Sequence, residues 1–316
     1  MDEKRRILMI GNRNSGKTTY MASAYGMMKS GKYGFYVSGD KDSNEWLMHI
    51  YKGIKEGGYP LPTDKRNEFS FDLFYLNKKV LSFDWIDYFG GVITESAVEQ
   101  LGKDIEDADA IMLFLDANAL KNGDTQITQF RRIQALITEK LSQTDSLFDV
   151  IVVLTKYDTV GKDASFEDVC KPLGNFKACL DERENINFKI VPVSCTKNGF
   201  VNVDIPLIDI LQSGLALRFY THYYLMEEHK KRAIELNNKR SFLDWAVSKI
   251  FGAKTNGELC DEEIEALRKE AELAEELCEP TQQITDYLNN YSLVIPSAAS
   301  QEAKSDNPRR SRFGNM

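Results

Sequence analysis

The chain carries 316 residues, 42% of them hydrophobic, with 48 acidic against 40 basic side chains for a net charge of −8. That length suits one generous α/β domain with an appendage, or two domains, while the acidic balance counts against bulk attraction to nucleic acid or anionic lipid. Cys170, Cys179, Cys195, Cys260 and Cys278 show no metal-ligand spacing beside three histidines, so they read as reduced thiols of a cytoplasmic protein rather than as a zinc site. No apolar run is long enough to span a bilayer, and the opening MDEKRR with its short apolar sequel is not expected to be a signal peptide.

In chain order, the apolar run at 7–10 predicts a strand entering Gly11, and residues 17–29 a helix ended by Ser30-Gly31. Asp42 and Ser43 are expected to cap a short helix whose apolar face is Trp46, Leu47, Ile50, Tyr51 and Ile54, stopping at Gly57-Gly58. Residues 60–64 read as a loop. The alternation FSFDLFYL at 69–76, a tight turn at Asn77-Lys78 and an apolar run at 80–86 predict a hairpin. It closes on Asp87-Tyr88-Phe89-Gly90-Gly91, a sharp loop. Helices at 96–107, 125–141 and 165–184, the last broken near Pro172, then alternate with apolar strands at 110–117, 150–154 and 188–193. The expected fold is α/β: a mostly parallel six-stranded sheet with one antiparallel hairpin strand, covered by helices on both faces.

From Pro206 the texture changes to helices at 207–238, 242–251, 261–277 and 281–291. The third carries Ile264, Leu267, Ala271, Ala274 and Cys278 on one stripe. Tyr220, Tyr223, Tyr224 and Leu225, and then Phe242, Trp245, Val247 and Ile250, form aromatic stripes expected to pack within the protein. Residues 296–316 are polar and predicted to be disordered. The expected organisation is a domain at 1–215 with an insertion at 31–62, then a helical extension at 216–295.

Chemistry concentrates where strands end. GNRNSGKTT at 11–19 is G-x-x-x-x-G-K-[ST] between a strand and a helix, the setting in which backbone N–H groups converge on a phosphate chain. Gly11 and Gly16 permit the close approach, and the helix adds its positive N-terminal end. Lys17 would bridge the terminal phosphates, Thr18 would ligate Mg2+, and Ser15 and Thr19 complete the phosphate-binding set. Asp87, at a strand end, would hold Mg2+ through water, and Gly90 has an N–H that can approach a terminal phosphate.

Thr155-Lys156-Tyr157-Asp158 resembles the Asn-Lys-x-Asp guanine motif of the translation-factor and Ras-like P-loop GTPases, with threonine in first place. Asp158 suits guanine because a carboxylate accepts from both the ring N–H and the exocyclic amino group. Ser194-Cys195-Thr196-Lys197 resembles the family's Ser-Ala-Lys loop, either Thr196 or Lys197 standing in the lysine place; a plain strand-end turn is the competing reading. The resemblance covers residues 5–215 and implies that Thr63 is the switch threonine, ordered on Mg2+ and the terminal phosphate.

Two departures matter. Gly91 stands where Ras-like enzymes carry the water-orienting glutamine. Asn14 stands where potassium-activated GTPases of the dynamin, ferrous-transport and tRNA-modification groups carry an asparagine that helps hold K+, and Arg13 either approaches the phosphates or stays a solvated charge. The insertion at 31–62 and the WIDYFGG hairpin are similar to bacterial double-GTPase domains. The resemblance implies a Mg2+-dependent GTP/GDP switch with slow, K+-assisted or activator-assisted hydrolysis, coupled to a protein partner through the switch regions, the insertion or the C-terminal helices. Dimerisation is compatible with it. The alternatives are a pseudo-GTPase scaffold without turnover, and an ATPase, against which Asp158 speaks.

Overall fold

Seven strands form one sheet in the order β2-β3-β4-β1-β5-β6-β7. The computed structural model describes residues 4–61, 66–88, 95–123, 126–161, 164–239 and 254–296, those at 95–98 and 126–129 by backbone alone. In chain order the first elements are β1 (Arg5–Gly11), α1 (Lys17–Lys29), β2 (Phe35–Gly39), α2 (Lys41–Glu56), β3 (Asn67–Tyr75), β4 (Lys78–Asp87) and α3 (Glu95–Glu106). There follow β5 (Ala110–Asp116), α4 (Ala117–Asn122), α5 (Gln126–Leu141), β6 (Phe148–Thr155), α6 (Phe166–Cys170), α7 (Gly174–Asp181) and β7 (Ile186–Pro192). A small hairpin, β8 (Ser194–Thr196) and β9 (Gly199–Val201), leads into α8 (Ile205–Asn238), and α9 (Asn256–Asn289) is the last helix among the described residues.

Only β3 runs against the rest, pairing antiparallel with β2 and β4, while β1 lies parallel between β4 and β5 and β6 and β7 continue the parallel half. The α/β fold with one antiparallel strand is thus as expected, but the sheet has seven strands rather than six. The additional strand is β2, on the sheet edge beyond β3. Its residues FYVSG are too few to show a period, and Phe35 and Val37 point inward while Tyr36 and Ser38 do not.

Other local differences have plain causes. Asp40, not Asp42 or Ser43, caps α2, accepting from the Ser43 N–H at 2.9 Å. The β3–β4 turn centres on Leu76 and Asn77, whose φ of 46° and 67° give the left-handed pair that a two-residue hairpin needs. α2 packs close on α1 because Gly26 is bare: a Cβ there would lie 2.3 Å from the Tyr51 ring.

One apolar layer joins Leu8 and Ile10 of β1 to Leu101 and Ile105 of α3, Ile133 and Ile137 of α5, and Phe176 and Leu180 of α7. Elsewhere in the core Tyr20 of α1 meets Trp85 and Phe114 edge-on, at 6.3 and 5.1 Å. At the strand beginnings Arg5 pairs with Asp149, both buried, and Asn187 donates to Asp149 at 2.7 Å. Those bonds tie the amino ends of β1, β6 and β7 together. The carboxyl ends at Gly11, Asp87, Asp116 and Thr155 open along the opposite edge, fixed by the registers Met9 to Asp87, Gly11 to Phe114 and Asp116 to Thr155. That edge is where ligands bind in open parallel sheets.

The chain divides into two compact units, Met1–Ile210 with Asn290–Met316, and Leu211–Asn289. In the second unit α8 and α9 run antiparallel, as shown by pairs whose numbers rise on one helix and fall on the other. His222 meets Glu270 and His229 meets Glu263, each at 2.6 Å, and Cys260 donates to the Ala233 carbonyl at 3.4 Å. α9 is one helix where two were expected at 261–277 and 281–291. Pro280 removes one N–H bond, but it shares a buried face with Leu277 and Ile284, and that packing carries the helix through. Cys278, expected on the inner stripe, is exposed. The stripe on α8 is also turned outward: Tyr220 and Tyr224 are each 64% exposed. The helix expected at 242–251 lies outside the described residues.

Candidate functional site

The turn after β1 is shaped by what a side chain would strike. A Cβ on Gly11 would lie 2.6 Å from the Phe114 carbonyl and 2.7 Å from Ser15 Oγ, so only glycine fits. Asn14 and Gly16 adopt left-handed backbone at φ 66° and 87°, which folds the loop back towards α1. That helix has no side-chain cap at Gly16 and no acid in its first turn. Its first N–H groups and the positive end of its dipole therefore face the loop, an arrangement suited to an anion.

Lys17, 8% exposed, lays its ammonium across the loop, donating to the carbonyls of Gly11 at 2.9 Å and Asn12 at 3.3 Å. Burial pulls its pKa down, and Asp87 pushes it back up. Asp87, 1% exposed at the end of β4, and Thr18 line one chamber of about 280 Å3 with Arg13, Asn14, Ser15, Gly16, Lys17 and Thr19. The donor set fits Mg2+: a hydroxyl and a carboxylate, both hard oxygen ligands, beside space for phosphate oxygens and water. Among the described residues no group of three or more His, Cys, Asp or Glu is placed to hold a metal ion.

A second chamber of about 290 Å3 is lined by Thr155, Lys156, Asp158, Val193, Cys195 and Thr196, and it shares Gly16, Thr19, Tyr59 and Lys156 with the first. The two adjoin as one groove. Asp158 Oδ1 accepts from the Ser194 hydroxyl at 2.7 Å, and Ser194 is fully buried. Lys156, at φ 52°, reaches across to Asp116 Oδ2 at 2.8 Å. Thr155 turns its hydroxyl away from the chamber, donating to the Ser15 carbonyl at 2.7 Å with the Leu115 carbonyl also in reach at 3.2 Å. Its methyl group and Cβ press on Gly16, where a Cβ would sit 3.3 Å away. Thr155 thus ties the two chambers together.

Burial pushes the Cys195 thiol up to about 12, against a hydrogen bond with Ser23 that lowers it. The thiol is therefore protonated at neutral pH.

The structure brings Gly11, Arg13, Asn14, Ser15, Gly16, Lys17, Thr18, Thr19, Asp87, Thr155, Lys156, Asp158, Ser194 and Cys195 to one edge of the sheet. Thr63, Gly90 and Gly91 lie outside the described residues. Three participants escaped the sequence reading. Asp116 both caps α4, through the N–H groups of Asn118 and Ala119, and holds Lys156; an acid closing an apolar strand was its signal. Tyr59 lines both chambers, and Tyr88 lines the first. Tyr59 has no motif to betray it, and Tyr88 fills an unspecified position of the Asp87-Tyr88-Phe89-Gly90 loop.

The architecture is similar to that of the Arl6 (BBS3) small GTPase from Trypanosoma brucei, solved with the nucleotide analogue GppNp. Identity is 15% and TM-score 0.41, over 67% of this chain and 97% of that one. It is also similar to the GTPase-like domain of Ski7 from S. cerevisiae, bound to GDP and inorganic phosphate, at 15% identity and TM-score 0.43. That match covers 60% of this chain and 43% of the Ski7 chain, so this chain spans less than half of its length. No protein-family model matches the sequence, and no curated protein matches it significantly. At TM-scores of 0.41 and 0.43 neither likeness carries an argument about this chain. The strand order, the single antiparallel strand and the glycine-bearing loop between β1 and α1 define a mostly parallel α/β fold with a phosphate-loop connection at its first strand. Among the described residues no helix is long and apolar enough to cross a membrane.

Proposed function

We propose that the chain binds a guanine nucleoside triphosphate with Mg2+ and hydrolyses it slowly to GDP and phosphate, acting as a nucleotide switch. The observation that carries this reading is the position of Asp158 in a chamber that adjoins the phosphate loop, its carboxylate oriented by the Ser194 hydroxyl at 2.7 Å. One oxygen is occupied by Ser194, and the carboxylate retains acceptor capacity for the paired N–H donors of guanine. At the other end, the α1 N-terminus and Lys17 take the phosphates. Thr18 and Asp87, with Thr63, would hold Mg2+, which when bound neutralises phosphate charge. The test is direct: with Mg2+ present, GTP and GDP should bind at least tenfold tighter than ATP and ADP, and equal affinity would sink the guanine assignment.

Turnover is the finer question. Gly91 leaves no side chain to orient water, which favours low intrinsic hydrolysis and keeps a non-hydrolysing scaffold as the second reading. Single-turnover hydrolysis separates the two. We assign monovalent-cation assistance to Asn14, exposed on the loop and lining the phosphate chamber. Because Asn14 is left-handed, an alanine there is strained, and Asn14→Gly is the cleaner variant. Identical turnover in Na+ and K+ buffers, unchanged in Asn14→Gly, would remove the idea. We place the protein in the cytoplasm, supported by five unpaired cysteines, with its partner reading the switch segments, the 31–62 insertion or the C-terminal helices.

A further inference from the structure

Asn202 lies between β9 and α8, 3% exposed and left-handed at φ 55°. Its amide uses its whole hydrogen-bonding capacity. Nδ2 donates to the Pro192 carbonyl at 2.7 Å and to the Val294 carbonyl at 2.5 Å. Oδ1 accepts from the Tyr291 hydroxyl at 2.6 Å and from the Val294 N–H at 3.3 Å. Two donors and two lone pairs are thus all engaged. One side of the amide grips the end of β7; the other grips the segment that follows α9. Burial, with Asp204 nearby, pushes the Tyr291 phenol up to about 12, so it remains a donor at working pH.

What Asn202 holds at Pro192 continues directly into the base chamber. Val193 donates its N–H to Leu154 at 2.8 Å and accepts from the Tyr157 N–H at 3.2 Å. The next residue is Ser194, which orients Asp158. Val193 and Ser194 are fully buried, and Tyr157 nearly so. An unbroken path of backbone and hydrogen bonds therefore runs from Val294 to the Asp158 carboxylate.

We propose that Asn202 is a positioning residue for base recognition: by clamping residues 291–294 against Pro192 it holds Val193 and Ser194 where Ser194 aims Asp158. This rests on reading Asp158 as the acid that recognises the base. Docking of the 291–294 segment then sets the affinity for the base and leaves the phosphate end alone. By linkage, a ligand on Asp158 must hold that segment more tightly in return.

The experiment uses the full chain, wild type, Asn202→Asp and Tyr291→Phe. Asn202→Asp keeps the shape and tolerates the left-handed backbone but loses both Nδ2 donors. Tyr291→Phe removes one hydroxyl on the far side of the clamp. The probes are GDP, IDP (which lacks the exocyclic amino group) and inorganic tripolyphosphate with Mg2+. A lost hydrogen bond changes an equilibrium by about 2- to 10-fold. Asn202→Asp should weaken GDP by about tenfold and shrink the GDP-to-IDP preference, Tyr291→Phe should do the same by about threefold, and tripolyphosphate binding should not change. Amide exchange at Val294 should slow when GDP binds the wild type and quicken in both variants. Should Asn202→Asp not fold, Tyr291→Phe and the exchange data decide. Lower stability with an unchanged GDP-to-IDP ratio, or Val294 exchange indifferent to GDP, would overturn the inference alone. Wild type without preference for GDP over ADP would overturn the parent reading and this one with it.

Discussion

The two ends of the groove are built in different ways. The end proposed to take phosphates comes from one continuous stretch, residues 11–19, shaped by two glycines and an uncapped helix. The end proposed to take the base is assembled from segments far apart in the chain: Asp116, Thr155 to Asp158, and Ser194 with Cys195, joined by side-chain hydrogen bonds. The first should tolerate side-chain changes only where they touch phosphate. The second should respond to any bond that aligns its parts.

The largest expected effect tests the phosphate end. Lys17→Ala removes its one buried ammonium, and triphosphate affinity measured by calorimetry should fall by about 100-fold, in keeping with the 1.5–3 kcal/mol of a charge-assisted bond. A loss of less than about threefold would mean that the loop does not hold phosphates through Lys17. Thr155→Val, at the joint between the ends, deletes the hydroxyl that reaches Ser15 while keeping the volume. It should cost about 1 kcal/mol of stability in urea melts and about fivefold in affinity for GDP and tripolyphosphate alike. Loss confined to one probe would show that Thr155 belongs to that end and not to both.

Cys195 gives a smaller and pH-dependent effect. Its folded pKa of about 12 lies above the ordinary 9.0, so the folded state keeps a proton that the unfolded state releases. The contribution is fully present below pH 9 and is lost as pH rises towards 12. Between pH 8 and pH 10 wild type should lose about 1 kcal/mol more than Cys195→Ala in matched urea melts. Equal slopes would show that the thiol is not sealed. Lys156→Ala should do least, because its side chain is 44% exposed and its pair with Asp116 is screened; about threefold in base affinity is expected.

The same contrast explains what could be read from the sequence. The phosphate loop was legible because its requirement is local, glycine at fixed spacing between a strand and a helix. The place of Asp158 at the carboxyl edge of the sheet was legible from its position after a buried strand. Asp116, Tyr59 and Asn202 were not, because their roles depend on partners up to about 90 positions away. Strands β2, β8 and β9 are five, three and three residues long, below the length at which alternation registers. Two helices were expected where α9 is one, because the pattern along the chain does not show the packing of Leu277, Pro280 and Ile284 that carries the helix across the proline. The exposed tyrosines of α8 reversed the ordinary expectation that aromatic stripes face inward.

One titration tests the central claim most directly. GTP and xanthosine triphosphate, with Mg2+, are bound in parallel to wild type and to Asp158→Asn. A carboxylate accepts from the guanine N–H and amino groups, whereas an amide donates to the carbonyl that xanthine carries in place of the amino group. Wild type should prefer GTP, and Asp158→Asn should lose at least tenfold in GTP affinity while gaining for the xanthine nucleotide. Unchanged affinities for both nucleotides in Asp158→Asn would contradict the account.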